Sequence, residues 1–140
     1  MDLFPFERTL TQIDHLRLTR LTARAGAPSR HQPPAIEGLE RLLSASELVP
    51  PTAVAADVVT MYSQVLLTDP DEVVPYKVTL CYPDDAAPGQ GFVSVLSPLG
   101  LGLLGLRAGS TARWATPRGP RSATVLAIAF QPEASGDYTT

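Results

Sequence analysis

Few side chains in this chain of 140 residues are of types that carry out chemistry. Cys81 is the one cysteine, and His15 and His31 are the two histidines. Nucleophilic catalysis needs a nucleophile and a base within hydrogen-bond reach. Both histidines fall in a helix-patterned segment, far along the chain from Cys81, which sits in a strand-like run. Cys81 is therefore expected to be a structural thiol. No CxxC, HExxH or DxDxDG spacing occurs, so no metal site is expected. Asp84-Asp85 follows Tyr82-Pro83 as a solvated turn, and Gly89-Gln90-Gly91 is a loop before a strand rather than a phosphate cradle. Arg17, Arg20 and Arg24 recur along one helical stretch, either as a solvated face or as a surface for an acidic partner. No catalytic, cofactor-binding or metal-ligating residue is assigned.

The elements that hold these residues divide near position 50. Phe6–Arg24 contains no Gly or Pro, and Leu10, Ile13 and Leu21 fall on one side at helical spacing, with Leu18 at the edge and Leu16 off the stripe. Gly26, Pro28, Pro33 and Pro34 break this helix. Ile36, Leu39 and Leu43 mark a second one over Ile36–Leu48. The pair is expected to form a short antiparallel helical hairpin, a coiled coil, over residues 1–49, its longer arm roughly 25–28 Å at helical rise. Pro50-Pro51 reads as a stiff linker.

Residues 52–140 alternate with a period of two. Asp57–Leu67 and Val74–Tyr82 are expected strands around the turn at Asp69-Pro70-Asp71, with Val59, Met61, Val65 and Leu67 sharing one face. Phe92–Leu96 is a short third strand. Ser97 and Pro98 then read as the N-cap and first residue of a helix reaching Leu106. Thr111–Thr116 and Ser122–Phe130 flank the turn Pro117–Pro120, with Leu126, Ile128 and Phe130 expected to face inward. The fold class is α+β, an antiparallel sheet with one short helix.

Composition narrows the function. The net charge is −3 and the pI about 5.2, which argues against a phosphate-binding surface and direct DNA binding. Fourteen prolines exclude a mostly helical chain. A single cysteine fits a reducing, cytoplasmic setting. The N-terminal residues show no basic stretch before an apolar run, and the longest apolar run, Phe92–Leu106, is too short and too interrupted to span a membrane. These features favour a protein-binding role over an enzyme.

Four stretches stand out: Asp57–Ser63, Val78-Thr79-Leu80-Cys81-Tyr82-Pro83, Val93–Gly100 continuing through Leu103-Leu104-Gly105-Leu106-Arg107 and Gly109, and the ending Gln131-Pro132-Glu133-Ala134-Ser135-Gly136-Asp137-Tyr138. They resemble the Gre transcript-cleavage factors and, more closely, their Rnk-type relatives, regulators of nucleoside diphosphate kinase. The resemblance implies an FKBP-like domain over residues 52–140 that binds RNA polymerase near its secondary channel. In Gre factors, a long coiled coil enters that channel and acidic residues at its tip help to hold a catalytic magnesium. The family's Asp-Ser-Pro polymerase contact corresponds here to Leu96, Ser97 and Pro98, without the carboxylate. The tip segment 24–34 carries Arg24, Arg30 and His31 and no Asp or Glu. A Gre competitor that does not stimulate transcript cleavage is therefore expected. Two other readings stay open: a peptidyl-prolyl isomerase or peptide-binding module, by analogy of fold, and a nucleic-acid binder.

Overall fold

In a computed structural model of the chain, the described residues are 8–25, 34–70 and 74–137. Strand β1 (Thr9–Thr11) leads into helix α1 (Gln12–Ala25), and helix α2 (Pro34–Ala45) leads into strand β2 (Glu47–Val49). The chain continues through β3 (Gln64–Thr68), β4 (Tyr76–Cys81), β5 (Phe92–Ser94), helix α3 (Pro98–Leu103), β6 (Thr111–Thr116) and β7 (Gly119–Phe130). The five later strands form one sheet in the order β5-β4-β3-β7-β6. It is antiparallel except for β4 and β5, which run parallel. The expected α+β class and short helix are present, and the sheet is antiparallel as expected but for the parallel β4–β5 pair.

Several expected boundaries move. The first long strand begins at Gln64 rather than Asp57. Before it, Thr60–Ser63 makes a tight turn in which Tyr62 takes a positive φ of 65° and the Ser63 amide donates to the Thr60 carbonyl at 3.0 Å. Val59 and Met61 are nevertheless buried with Val65 and Leu67, because apolar residues fill a core equally well from a loop. The second helix ends at Ala45, α3 ends at Leu103, and the third strand ends at Ser94, two residues before Leu96. Pro120 is already in β7, paired with Ala115, so the β6–β7 turn is tighter than expected. The inward face of β7 is also corrected. Ala123 and Val125 are buried, whereas Leu126 and Phe130 are 47% exposed. Register shifts against β3 interrupt the alternation that assigned those two to the core.

The hairpin differs in how it begins and ends. Leu10 is buried from β1, not from the helix, and Leu18, expected at the stripe's edge, is fully buried. Leu16 is exposed, as its place off the stripe implies. β1 and β2 pair in parallel, Leu10 opposite Leu48, and clamp the two arms at their base. Leu10, Leu18, Leu39 and Leu43 join the same core cluster as Val59, Leu80, Leu103 and Val125. Pro50 is extended and Pro51–Ala53 forms a 3-10 turn. With 14 residues, α1 is about 21 Å long, shorter than the arm expected from the sequence. The hairpin tip, with Arg30, His31 and the side chain of Arg24, lies outside the described residues.

A buried polar seam joins hairpin and sheet. Thr11 caps α1, its hydroxyl accepting the Asp14 amide at 3.0 Å. The Asp14 carboxylate crosses the seam and accepts the Met61 amide at 3.1 Å. On the sheet side, the Thr60 hydroxyl donates to Glu133 Oε1 at 2.7 Å. The Gln131 amide nitrogen donates to the Ala55 and Val58 carbonyls, each at 2.8 Å. Burial raises the Asp14 pKa from the ordinary carboxylate value to about 7, with the nearby Glu133 charge adding to the rise and the Met61 amide and Arg17 opposing it. A carboxyl whose pKa is raised by folding stabilises the fold below its unfolded pKa and loses that contribution as pH climbs toward 7. The urea midpoint of the protein is therefore expected to fall between pH 5 and pH 8. Asp14→Asn keeps the oxygen that accepts the Met61 amide and removes the titration. It should flatten this slope, and an unchanged slope in that variant would assign the pH dependence elsewhere.

Candidate functional site

The corner between β5 and α3 is built from backbone groups and two serine hydroxyls. After β5, the Val95 amide donates to the Cys81 carbonyl at 2.8 Å, and the chain turns on Ser94. The Ser94 hydroxyl accepts the Leu96 amide at 3.0 Å, and the Ser94 carbonyl accepts the Ser97 hydroxyl at 2.6 Å. Ser97 is the N-cap of α3, its Oγ accepting the Gly100 amide at 3.0 Å, with Pro98 in the first helical turn. Both roles match the sequence reading of Ser97-Pro98.

Gly100 completes the corner. A Cβ at this position would lie 2.0 Å from the Ser94 carbonyl oxygen, so the helix can seat on the turn only with glycine there. Gly105, at φ +80°, closes the far end, its amide bonded to the Val59 carbonyl at 2.8 Å. Pro98 is exposed, and Leu96 and Ser97 are half-buried.

Beside Pro98 runs an open groove of about 360 Å³, lined by Val93, Ser97, Pro98, Leu99 and Trp114. No charged residue is among the described residues that line it. Trp114 is half-buried on β6, with the Arg121 guanidinium 5.8 Å from its ring centroid. Trp114 takes this place between core and solvent because β6 is the sheet's edge.

The other candidate residues are not gathered into a reactive site. Cys81 is buried, its sulfur 3.5 Å from the Val93 carbonyl, and burial pushes its thiol pKa up, away from the thiolate. His15 Nε2 lies 3.2 Å from the Leu43 carbonyl and ties α1 to α2. Asp84 and Asp85 are exposed on a 3-10 turn, where Asp85 accepts the Tyr62 hydroxyl. That bond and burial raise the Tyr62 pKa to about 12, burial being the larger cause. Arg17 and Arg20 flank a cleft against Tyr82, Pro83 and Asp84. Among the described residues, no group of His, Cys, Asp and Glu side chains is placed to hold a metal ion.

Comparison with known proteins agrees with this geometry. Residues 54–130 match the family described as transcription elongation factor, GreA/GreB, C-terminal. The chain belongs to the GreA/GreB family. It is 32% identical over 127 residues to the regulator of nucleoside diphosphate kinase of Escherichia coli K12, spanning 90% of this chain and 93% of that one. It is 34% identical over 97 residues to the elongation factor GreA of Acidiphilium cryptum, spanning 68% of this chain and 60% of that factor. The GreA/GreB factor of Nitrosomonas europaea superposes with a TM-score of 0.73 at 27% identity, over 88% of this chain and 99% of that one. The GreA/GreB match contains the whole β5–α3 corner and both residues of the Ser97-Pro98 helix start.

The residues missed by sequence reasoning are those of the seam. Asp14 belongs to none of the sequence motifs, although its place three residues after Thr11 is a capping spacing. Gln131 and Glu133, which stand out in the C-terminal motif, are buried and hold the 55–60 segment in place. At the corner, Gly100→Ala should cost roughly 3 kcal/mol, the upper end for overpacking, because the obstructing atoms are backbone. Thermal or urea denaturation measures it. A loss below about 0.5 kcal/mol, the range of an ordinary surface change, would mean the corner opens without penalty.

Proposed function

We propose that this GreA/GreB family protein is a non-enzymatic transcription regulator that docks on RNA polymerase near its secondary channel through the β5–α3 corner. One observation carries the reading: an exposed proline at a capped helix start, beside an open groove whose described lining carries no charge, on an elongation-factor domain. Leu96, Ser97 and Pro98 form the contact. Leu96 stands where the family's contact has a carboxylate, so this docking depends on apolar packing and backbone shape rather than on a charge.

The hairpin determines what docking does. A Mg²⁺ ion is held by oxygen ligands, mostly carboxylates and water. The tip segment, with Arg24, Arg30 and His31, contains no carboxylate, and α1 reaches only about 21 Å over its 14 residues. Such an arm occupies a Gre factor's place without recruiting the polymerase's metal. The protein would then compete with Gre factors without stimulating transcript cleavage. Through transcription it would also regulate nucleoside diphosphate kinase levels, as the name of its Escherichia coli relative describes. A polymerase partner places it in the cytoplasm and calls for neither a cofactor nor direct DNA contact. None of the relatives compared is named as an isomerase, and no observation favours that reading.

Binding to core RNA polymerase tests the first half. The full chain should bind, and Pro98→Arg should weaken binding by about tenfold or more, the effect of one central contact worth about 1.4 kcal/mol. Its urea midpoint should stay unchanged, because Pro98 is exposed. A wild-type chain that fails to bind overturns the reading, and a Pro98→Arg variant that binds as well moves the contact off the corner. A backtracked elongation complex with end-labelled RNA tests the second half. The protein alone should release no 3′ fragment and, in excess, should slow cleavage by a Gre factor. Cleavage by the protein alone, or no slowing, would remove the competitor role.

A further inference from the structure

On the other side of Pro98 and Trp114 lies a second groove of about 500 Å³ with the opposite electrostatic character. Among the described residues, three arginines reach it from separate parts of the fold: Arg8 just before β1, Arg41 on α2 and Arg113 on β6. No Asp or Glu is among the described residues that line it. Among the described residues, none of the three arginines forms an ion pair. This concentration of positive charge stands out in a chain whose net charge is −3.

Arg8 is held in place. Its Nη1 donates to the Leu101 and Leu104 carbonyls, at 2.8 and 2.9 Å, at the C-terminal end of α3. Arg41 and Arg113 are exposed at the rim. Between them the floor is apolar, with Leu42, Leu101 and Trp114. Gly38 keeps the groove wide, since a Cβ there would come within 3.3 Å of the Leu101 Cδ1 methyl.

We infer that this groove binds an acidic protein segment, with one or more carboxylates on the arginines and apolar side chains on the Leu42–Leu101 floor. Guanidinium groups match carboxylates as two-pronged donors. Fixing Arg8 in advance removes part of the ordering cost of binding. A nucleic-acid strand is the poorer match. Such sites track a backbone with a basic stripe and stack bases on aromatic faces. Here the arginines converge on one place, and Trp114, the one aromatic ring among the described lining residues, already has the Arg121 guanidinium beside it. The inference goes beyond polymerase docking and holds without it, since Arg8, Arg41, Arg113 and the Leu42–Leu101 floor are no part of that contact, although Pro98 borders both grooves.

Trp114 is the chain's only tryptophan and reports on the groove directly. The test titrates the full chain with a short synthetic peptide carrying glutamate and leucine at helical spacing, followed by Trp114 fluorescence at low ionic strength. A single-stranded RNA of equal charge is titrated in parallel. The peptide should bind, and binding should weaken as salt rises toward physiological strength. Arg41→Glu combined with Arg113→Glu should weaken it on the order of tenfold. Lys77→Glu, a reversal on β4 outside the groove, should leave it unchanged. Urea denaturation checks that the double variant, altered only at exposed positions, is folded. No peptide binding, peptide binding that ignores the double reversal, or RNA binding tighter than the peptide's would each overturn the inference.

Discussion

The approach of Gly100 to the Ser94 carbonyl is the constraint on which the candidate surface depends. With no Cβ at Gly100, the first turn of α3 lies directly on the β5 turn. The Ser97 hydroxyl then bridges the two, donating to the Ser94 carbonyl and accepting the Gly100 amide. That seating exposes Pro98, places Leu99 along one groove and Leu101 along the other, and aligns both beside Trp114. A helix displaced outward by one methyl group would alter both grooves together. Gly100 and the Ser97 cap are thus requirements of the corner's own geometry, whatever partner the corner meets.

The hairpin is bonded both to α3, which begins at this corner, and to the rest of the domain. Arg8 holds the end of α3, the Thr9 amide donates to the Gly105 carbonyl at 3.1 Å, and Gly105 in turn reaches Val59. Asp14 crosses to Met61 on the other side. Polar seams of this kind are costly to bury and costly to leave half-satisfied, so they fix one relative placement of the parts they join. The orientation of the arm is therefore a property of the core.

The sequence showed most clearly whatever was local. Proline after serine announced α3, alternation announced β4, and the separation of glycine and proline clusters announced two helices. It misled where contacts came from distant residues. The 57–63 segment has strand composition, yet Tyr62 at positive φ and the Thr60–Ser63 turn make it a loop, held by Gln131 and Glu133 from the end of the chain. Leu126 and Phe130 alternate correctly as a pattern but follow register shifts that no local rule reports. The parallel pairing of β1 with β2 joins residues nearly forty positions apart, each strand three residues long. At the candidate site, Ser97 and Pro98 could be read directly. The arginine groove could not, because Arg8, Arg41 and Arg113 meet only after the hairpin has packed on the sheet.

The parallel β1–β2 clamp has one more consequence. The two arms of the hairpin leave and rejoin the core at adjacent points, Thr9 opposite Glu47 and Thr11 opposite Val49. Everything between is topologically a single loop closed at its neck. The entropy of closing a flexible loop grows only with the logarithm of its length, each doubling costing about 0.6 kcal/mol. Residues added or removed at the distal end would leave the neck's pairing, the seam and the corner untouched, while each helical residue added to both arms would extend the arm by about 1.5 Å. In this architecture the length and chemistry of the probe vary independently of the anchor, so one anchoring domain can carry arms of very different reach.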